Sequence, residues 1–149
     1  MGLSVAGLLT TRRVASGHLG LDVEDLSSGE RVALAERDQA TDGPATGHWT
    51  FHRHGIEWGA TRLARAGAAD LFVVDEIGPL ELLRDEGWVG AISALANPEH
   101  RLAVAVVRPE LVTRLVTVLG DRPVRRVDVS PANRDALPDE LALLLTGPQ

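Results

Sequence analysis

The chain has 149 residues and a mass of 15.9 kDa, 44% apolar and 24% charged, which suits a single globular domain with a real core and excludes a disordered chain. A formal net charge of −6 and a pI of about 5.3 argue against a nucleic-acid partner, whose phosphates the molecule as a whole would repel. There is no cysteine, which excludes a disulfide framework, a thiolate nucleophile and a cysteine zinc site; there is also no lysine, so all 15 basic residues are arginine.

The N-terminal residues Met1 to Ala6 carry no basic region ahead of their apolar run, and no stretch approaches eighteen uninterrupted apolar residues. No secretion signal or membrane span is expected, and the absence of cysteine makes the cytoplasm the expected compartment. Residues 3–53 read as β-rich, with runs at Leu3–Thr11, His18–Leu26, Arg31–Glu36 and His48–His52. Gly17, Ser27-Ser28-Gly29 and Asp42-Gly43-Pro44 separate these runs where turns need such residues.

The period becomes helical from Gly55, with Ile56, Ala60, Leu63 and Ala64 on one stripe. Leu71-Phe72-Val73-Val74 is apolar at consecutive positions, as a strand of a parallel sheet covered on both faces would be, and it ends in Asp75-Glu76. Ile77-Gly78-Pro79 then turns the chain toward a helix bearing Trp88, Ile92, Leu95 and Ala96. Leu102–Val107 reads as a second two-faced strand, followed by a helix with Leu111, Leu115, Val118 and Leu119. A third strand is expected at Val124–Val129, and a last helix with Leu137, Leu141, Leu144 and Leu145. This alternation predicts βαβ units: one α/β domain over 1–149, with a β-rich part (1–53) whose hairpins extend a mostly parallel, helix-flanked sheet built from 54–149.

Ligands of open parallel sheets bind beyond the carboxyl ends of the strands, so Asp75 and Glu76 are placed for chemistry. An aspartate there can hold Mg²⁺ largely through water, and a glutamate one residue later can orient or deprotonate an attacking water. A turn-capping role for both acids is the structural alternative.

The string Val74-Asp75-Glu76-Ile77-Gly78-Pro79-Leu80-Glu81-Leu82 resembles the Walker B segment of the small P-loop nucleoside-triphosphatases, the family of the cancer-related nucleoside-triphosphatase and its archaeal and bacterial relatives. Gly7-Leu8-Leu9-Thr10 with Arg13, Gly20-Leu21, Leu26 to Glu30, Gly47 to Phe51 and Ser130 to Leu137 are similar to other family segments, in order along nearly the whole chain. The resemblance implies a P-loop-type α/β fold and Mg²⁺-dependent hydrolysis of a nucleoside triphosphate such as ATP or GTP. It implies Asp75 as metal ligand, Glu76 as catalytic base and Arg13 as a nucleotide-binding residue.

What the family also has is an opening strand, a glycine-rich loop ending in Gly-Lys-Ser/Thr, and a helix. Gly2-Leu3-Ser4-Val5-Ala6-Gly7 fits the glycine spacing, but Leu8-Leu9 stands where Lys-Ser/Thr belongs and the segment reads as a strand. The chain by itself is therefore expected to be inactive and to bind a triphosphate only if a P-loop is supplied. The absent strand is expected between the 102–107 and 124–129 strands, leaving an exposed sheet edge open to a protein partner or a second copy. Three explanations stand open: a start placed too late, a split enzyme whose P-loop lies on another chain, and a degenerate non-catalytic scaffold.

Other residues admit chemistry on weaker grounds. His48, His52 and His54 share one face of an extended strand and so could hold a transition metal, although no nearby carboxylate completes the set. Trp49 and Trp58 suit packing better than base stacking. Arg12-Arg13, Arg53 and Arg125-Arg126 could meet phosphate, and Asn133 reads either as a nucleotide contact or as the start of the last helix.

Overall fold

A computed structural model describes residues 2–147, and its centre is a seven-stranded mixed sheet. The chain runs β1 (Val5–Ala15), β2 (His18–Asp25), β3 (Arg31–Arg37), β4 (Ala45–Thr46), β5 (Trp49–Phe51), α1 (Arg53–Arg65), β6 (Leu71–Ile77), α2 (Pro79–Leu83), α3 (Gly90–Leu95), β7 (Leu102–Val107), α4 (Val112–Leu119) and α5 (Leu137–Thr146). In space the strands lie in the order β4-β5-β3-β2-β1-β6-β7. The α/β class and the N-terminal hairpins extending a parallel region are as the sequence implies; the parallel ladders are β1–β6 and β6–β7, and the other four are antiparallel.

β1 runs four residues past its expected end because Thr11–Ala15 pair with His18–Asp22 across a two-residue turn. Ser16 and Gly17 both take positive φ there, which matches the twist of the flanking strands. The first half of β1 turns its other edge to β6, with Leu8 beside Val74 and Leu9 beside Asp75. At Gly7 the two backbones touch: φ is 107°, and a Cβ would stand 1.9 Å from the Val73 carbonyl oxygen.

The core lies on one face of the sheet, where α1 covers β1–β3 and α3 covers β6 and β7. Leu8, Val23, Phe72, Val74 and Ile77 are fully buried there. On the opposite face of the parallel region Val73, Asp75 and Val104 are half-buried and Val106 is exposed, so β6 and β7 are not covered equally on both sides as their apolar runs suggest.

Two expectations need correction. Val124–Val129 forms no strand; Val124, Val127 and Val129 are exposed, and the outer edge of β7 stays unpaired among the described residues. A short run of valines has no ladder to join once no strand stands between it and β7, and an isolated strand is unstable in water. The helix expected around Trp88–Ala96 shrinks to Gly90–Leu95, with Trp88 buried ahead of it and its indole Nε1–H donating to the Ile56 carbonyl at 3.1 Å.

Substituting Gly7→Ala should cost about 3 kcal/mol or more, from positive φ and a clash with backbone that cannot retreat. A urea unfolding midpoint within error of the wild type would contradict this close β1–β6 approach.

Candidate active site

Asp75 and Glu76 lie near the C-terminal end of β6, with β1 and β7 on either side. The backbone is tied down at this point, since the Thr10 hydroxyl donates to the Asp75 carbonyl at 2.5 Å. The pairing register with β7 shifts between Asp75 and Ile77, which lets the two acids part: Asp75 is half-buried and Glu76 exposed. Burial, and then the neighbouring Glu76 charge, hold the Asp75 carboxyl above its ordinary range. Among the described residues that carboxylate accepts no hydrogen bond. A half-buried carboxylate with free acceptors and a second one adjacent suits one hard divalent cation, which takes few protein ligands and keeps its water. Asp75 would hold such an ion.

The segment after the acids is fixed by Glu81, whose role the sequence reading missed. Its buried carboxylate accepts from the Gly78 N–H at 3.0 Å and the Trp88 N–H at 2.9 Å, pinning both ends of the α2 loop. Burial raises its pKa and those two amides act against the rise. Gly87 is required beside it, because a Cβ there would stand 2.3 Å from Oε1. Its place in the Gly-Pro-Leu-Glu string, three residues after a helix-starting glycine, is the signal of a capping acid.

Between this segment and the β4–β5 hairpin lies a cleft of ≈ 60 Å³ lined by Trp49, Phe51, Glu76, Pro79 and Arg108, among others. Trp49 thus packs and lines a cleft at once. Arg108, at the end of β7, stands 3.9 Å from the Glu76 carboxylate.

Arg13 is not brought next to Asp75. It lies four residues beyond Leu9, Asp75's neighbour, or roughly 13 Å along β1. Its guanidinium bridges Asp22 at 2.8 Å and Glu36 at 2.6 Å, so carboxylates already occupy it on both sides. The histidines disperse: His48 meets Asp38 at 2.7 Å, His52 meets Glu36 at 3.1 Å, and His100 stacks on Phe72. Among the described residues no three His, Asp or Glu side chains gather for a metal ion. Trp58 lies under the Arg62 guanidinium, Arg126 pairs with Asp128, and Asn133 closes a turn by accepting from the Ser130 N–H at 2.8 Å.

The model of the NTPase family matches residues 1–142. The chain belongs to the NTPase family. Among its relatives, nucleoside-triphosphatase THEP1 of Thermofilum pendens is 33% identical over 144 residues, covering 95% of this chain and 79% of the relative. The nucleoside-triphosphatases THEP1 of Methanopyrus kandleri (31% over 144 residues; 94% and 78%) and Methanothermobacter thermautotrophicus (36% over 138 residues; 91% and 75%) are similar on the same scale. No solved structure matches. No helix of this NTPase-family chain, among the described residues, is long and apolar enough to cross a membrane.

Two outcomes test the site. Because the folded pKa of Asp75 is raised, its contribution to stability is full below the ordinary value of 3.8 and is lost as pH rises through the folded value. Asp75→Asn should remove that decline, so urea midpoints of variant and wild type should converge at acid pH and separate at neutral pH in the variant's favour. Glu81→Ala, which strands two amides, should cost about 2–4 kcal/mol, with Glu81→Gln costing less, both read from denaturant unfolding.

Proposed function

We propose that this chain carries the magnesium-and-water side of a nucleoside-triphosphatase that converts nucleoside triphosphate and water to nucleoside diphosphate and phosphate. The observation that carries the reading is the split pair at the end of β6: a half-buried Asp75 with free acceptors and an exposed Glu76 at the mouth of a cleft. Mg²⁺ held at Asp75 would neutralise phosphate charge as the terminal P–O bond breaks. Glu76 orients the attacking water and takes its proton as oxygen bonds to the terminal phosphorus. Arg13 serves in this reading only if a phosphate displaces Asp22 or Glu36 from it.

The 149 residues contain no lysine, and Val5 to Ala15 are strand rather than loop. Losing three charged hydrogen bonds and an ammonium weakens triphosphate binding by about 5 kcal/mol or more, over three decades in affinity. The chain alone is therefore proposed to be inactive, with the phosphate grip coming from residues outside it. The outer edge of β7, unpaired among the described residues, with its run Leu102–Val107, favours a second reading in which a partner chain or a second copy adds a strand there, either completing the enzyme or using a non-catalytic scaffold. The absence of cysteine supports the cytoplasm as the compartment, and the net negative charge supports a nucleotide rather than a nucleic-acid ligand.

The test joins to this chain the part of the Thermofilum pendens relative that the match leaves uncovered, and measures phosphate release from ATP and GTP. Activity that needs Mg²⁺ and falls at least about a hundredfold in Glu76→Gln is expected, with none from the 149 residues alone. A chimera that folds and stays inactive points to the scaffold. Turnover by the unextended chain, abolished by Glu76→Gln, refutes the missing-grip argument.

A further inference from the structure

Arginine is the only strong cation available to meet phosphate in this chain, so it matters which guanidinium near Asp75 and Glu76 is free. Arg13 is taken by Asp22 and Glu36. Arg84 donates to the Ala45 carbonyl at 2.8 Å and pairs with Glu86 at 2.8 Å. Arg114 donates to the Leu82 carbonyl. Among the described residues Arg108 has only Glu76, at 3.9 Å, beyond hydrogen-bond length, and its side chain is 48% exposed.

Its position is set by the sheet rather than by a loose loop. Val107 pairs with Ile77, so Arg108 emerges one residue later, beside the end of β6, and Pro109 immediately starts the 3-10 turn that leads to α4. It shares the cleft wall with Glu76, Gly78 and Pro79.

We propose that Arg108 is the phosphate-binding arginine of this site: it is held loosely by Glu76 in the free protein and turns its planar fork onto the terminal phosphate of a Mg²⁺-triphosphate. The inference rests on the magnesium site proposed above at Asp75. The switch does two things at once. It gives the phosphate a bidentate donor set, and it releases the Glu76 carboxylate to face water. An arginine suits this better than a lysine would, because its planar fork matches two oxygens of a carboxylate or a phosphate at once.

The probe is Mg²⁺-tripolyphosphate, titrated into the ¹⁵N-labelled chain while the arginine Nε–H resonances are followed by NMR, so that no catalysis is needed. Saturable shifts at roughly millimolar ligand are expected, with the Arg108 Nε–H among the largest. Arg108→Gln should weaken binding at least about tenfold, Arg108→Lys by less, and Arg31→Gln, at the opposite end of β3 and paired with Glu24, by less than about twofold. Glu76→Gln should tighten binding, and the gain should vanish in the double variant with Arg108→Gln. Unchanged melting temperatures establish that the variants are folded. If Asp75→Asn abolishes the Mg²⁺ dependence but Arg108→Gln binds like wild type, the arginine assignment is wrong and the magnesium site stands. If neither variant matters, or nothing saturates at roughly 10 mM, both are wrong.

Discussion

The ladder that joins β1, β6 and β7 is the constraint on which the rest of this structure depends. β6 is hydrogen-bonded along both edges, to β1 from Leu71 to Asp75 and to β7 from Leu71 to Ile77. A strand held on both sides cannot slip, because a one-residue shift would exchange its buried Phe72 and Val74 for Val73 and Asp75. The same register therefore fixes the core and delivers the acid pair to the rim. Gly7 makes it possible, since its missing side chain lets β1 approach the Val73 carbonyl. Glu81 continues the anchoring past the strand end, where backbone pairing stops and a buried carboxylate takes over.

Much of this was legible in the residues. Four consecutive apolar positions followed by two acids mark a buried strand ending at a site, and the hairpins before it follow from glycine and serine turns at 17 and 27–29. The family string from Val74 to Leu82 singled out the acid pair that the proposed function uses. What failed was legible only with neighbours in hand. Val124–Val129 has the composition of a strand, yet a strand is a relation between two segments, and here no segment pairs with it. Trp88 has a helical neighbourhood, yet its indole is satisfied by Ile56 in α1, so it is buried without being in a helix.

The site residues divide by the same logic. Asp75 and Glu76 were visible because local pattern and strand-end position coincide. Glu81 was hidden because its meaning is a pair of amides, one of them seven residues away. Arg108 was hidden because its partner lies on a neighbouring strand, and no sequence period connects 76 with 108. Arg13 shows the converse. A residue singled out by resemblance can be occupied in space, and its two carboxylates make it a clip across β1, β2 and β3 unless phosphate displaces them.

An acidic rim is a poor place to receive a triphosphate. Asp75, Glu76 and Glu81 together repel four negative charges, and the chain as a whole adds to that repulsion. In the proposed function, attraction would therefore be local, through a divalent ion for which Asp75 would serve as ligand and through guanidinium groups held close enough to act at short range. That same balance sets an order of events. In the proposed exchange, Arg108 leaves its loose 3.9 Å contact with Glu76 for the phosphate, and the Glu76 carboxylate is left facing water without a cation beside it. If Glu76 acts as the base proposed above, that exchange would tie the activation of water to the arrival of the phosphate it attacks.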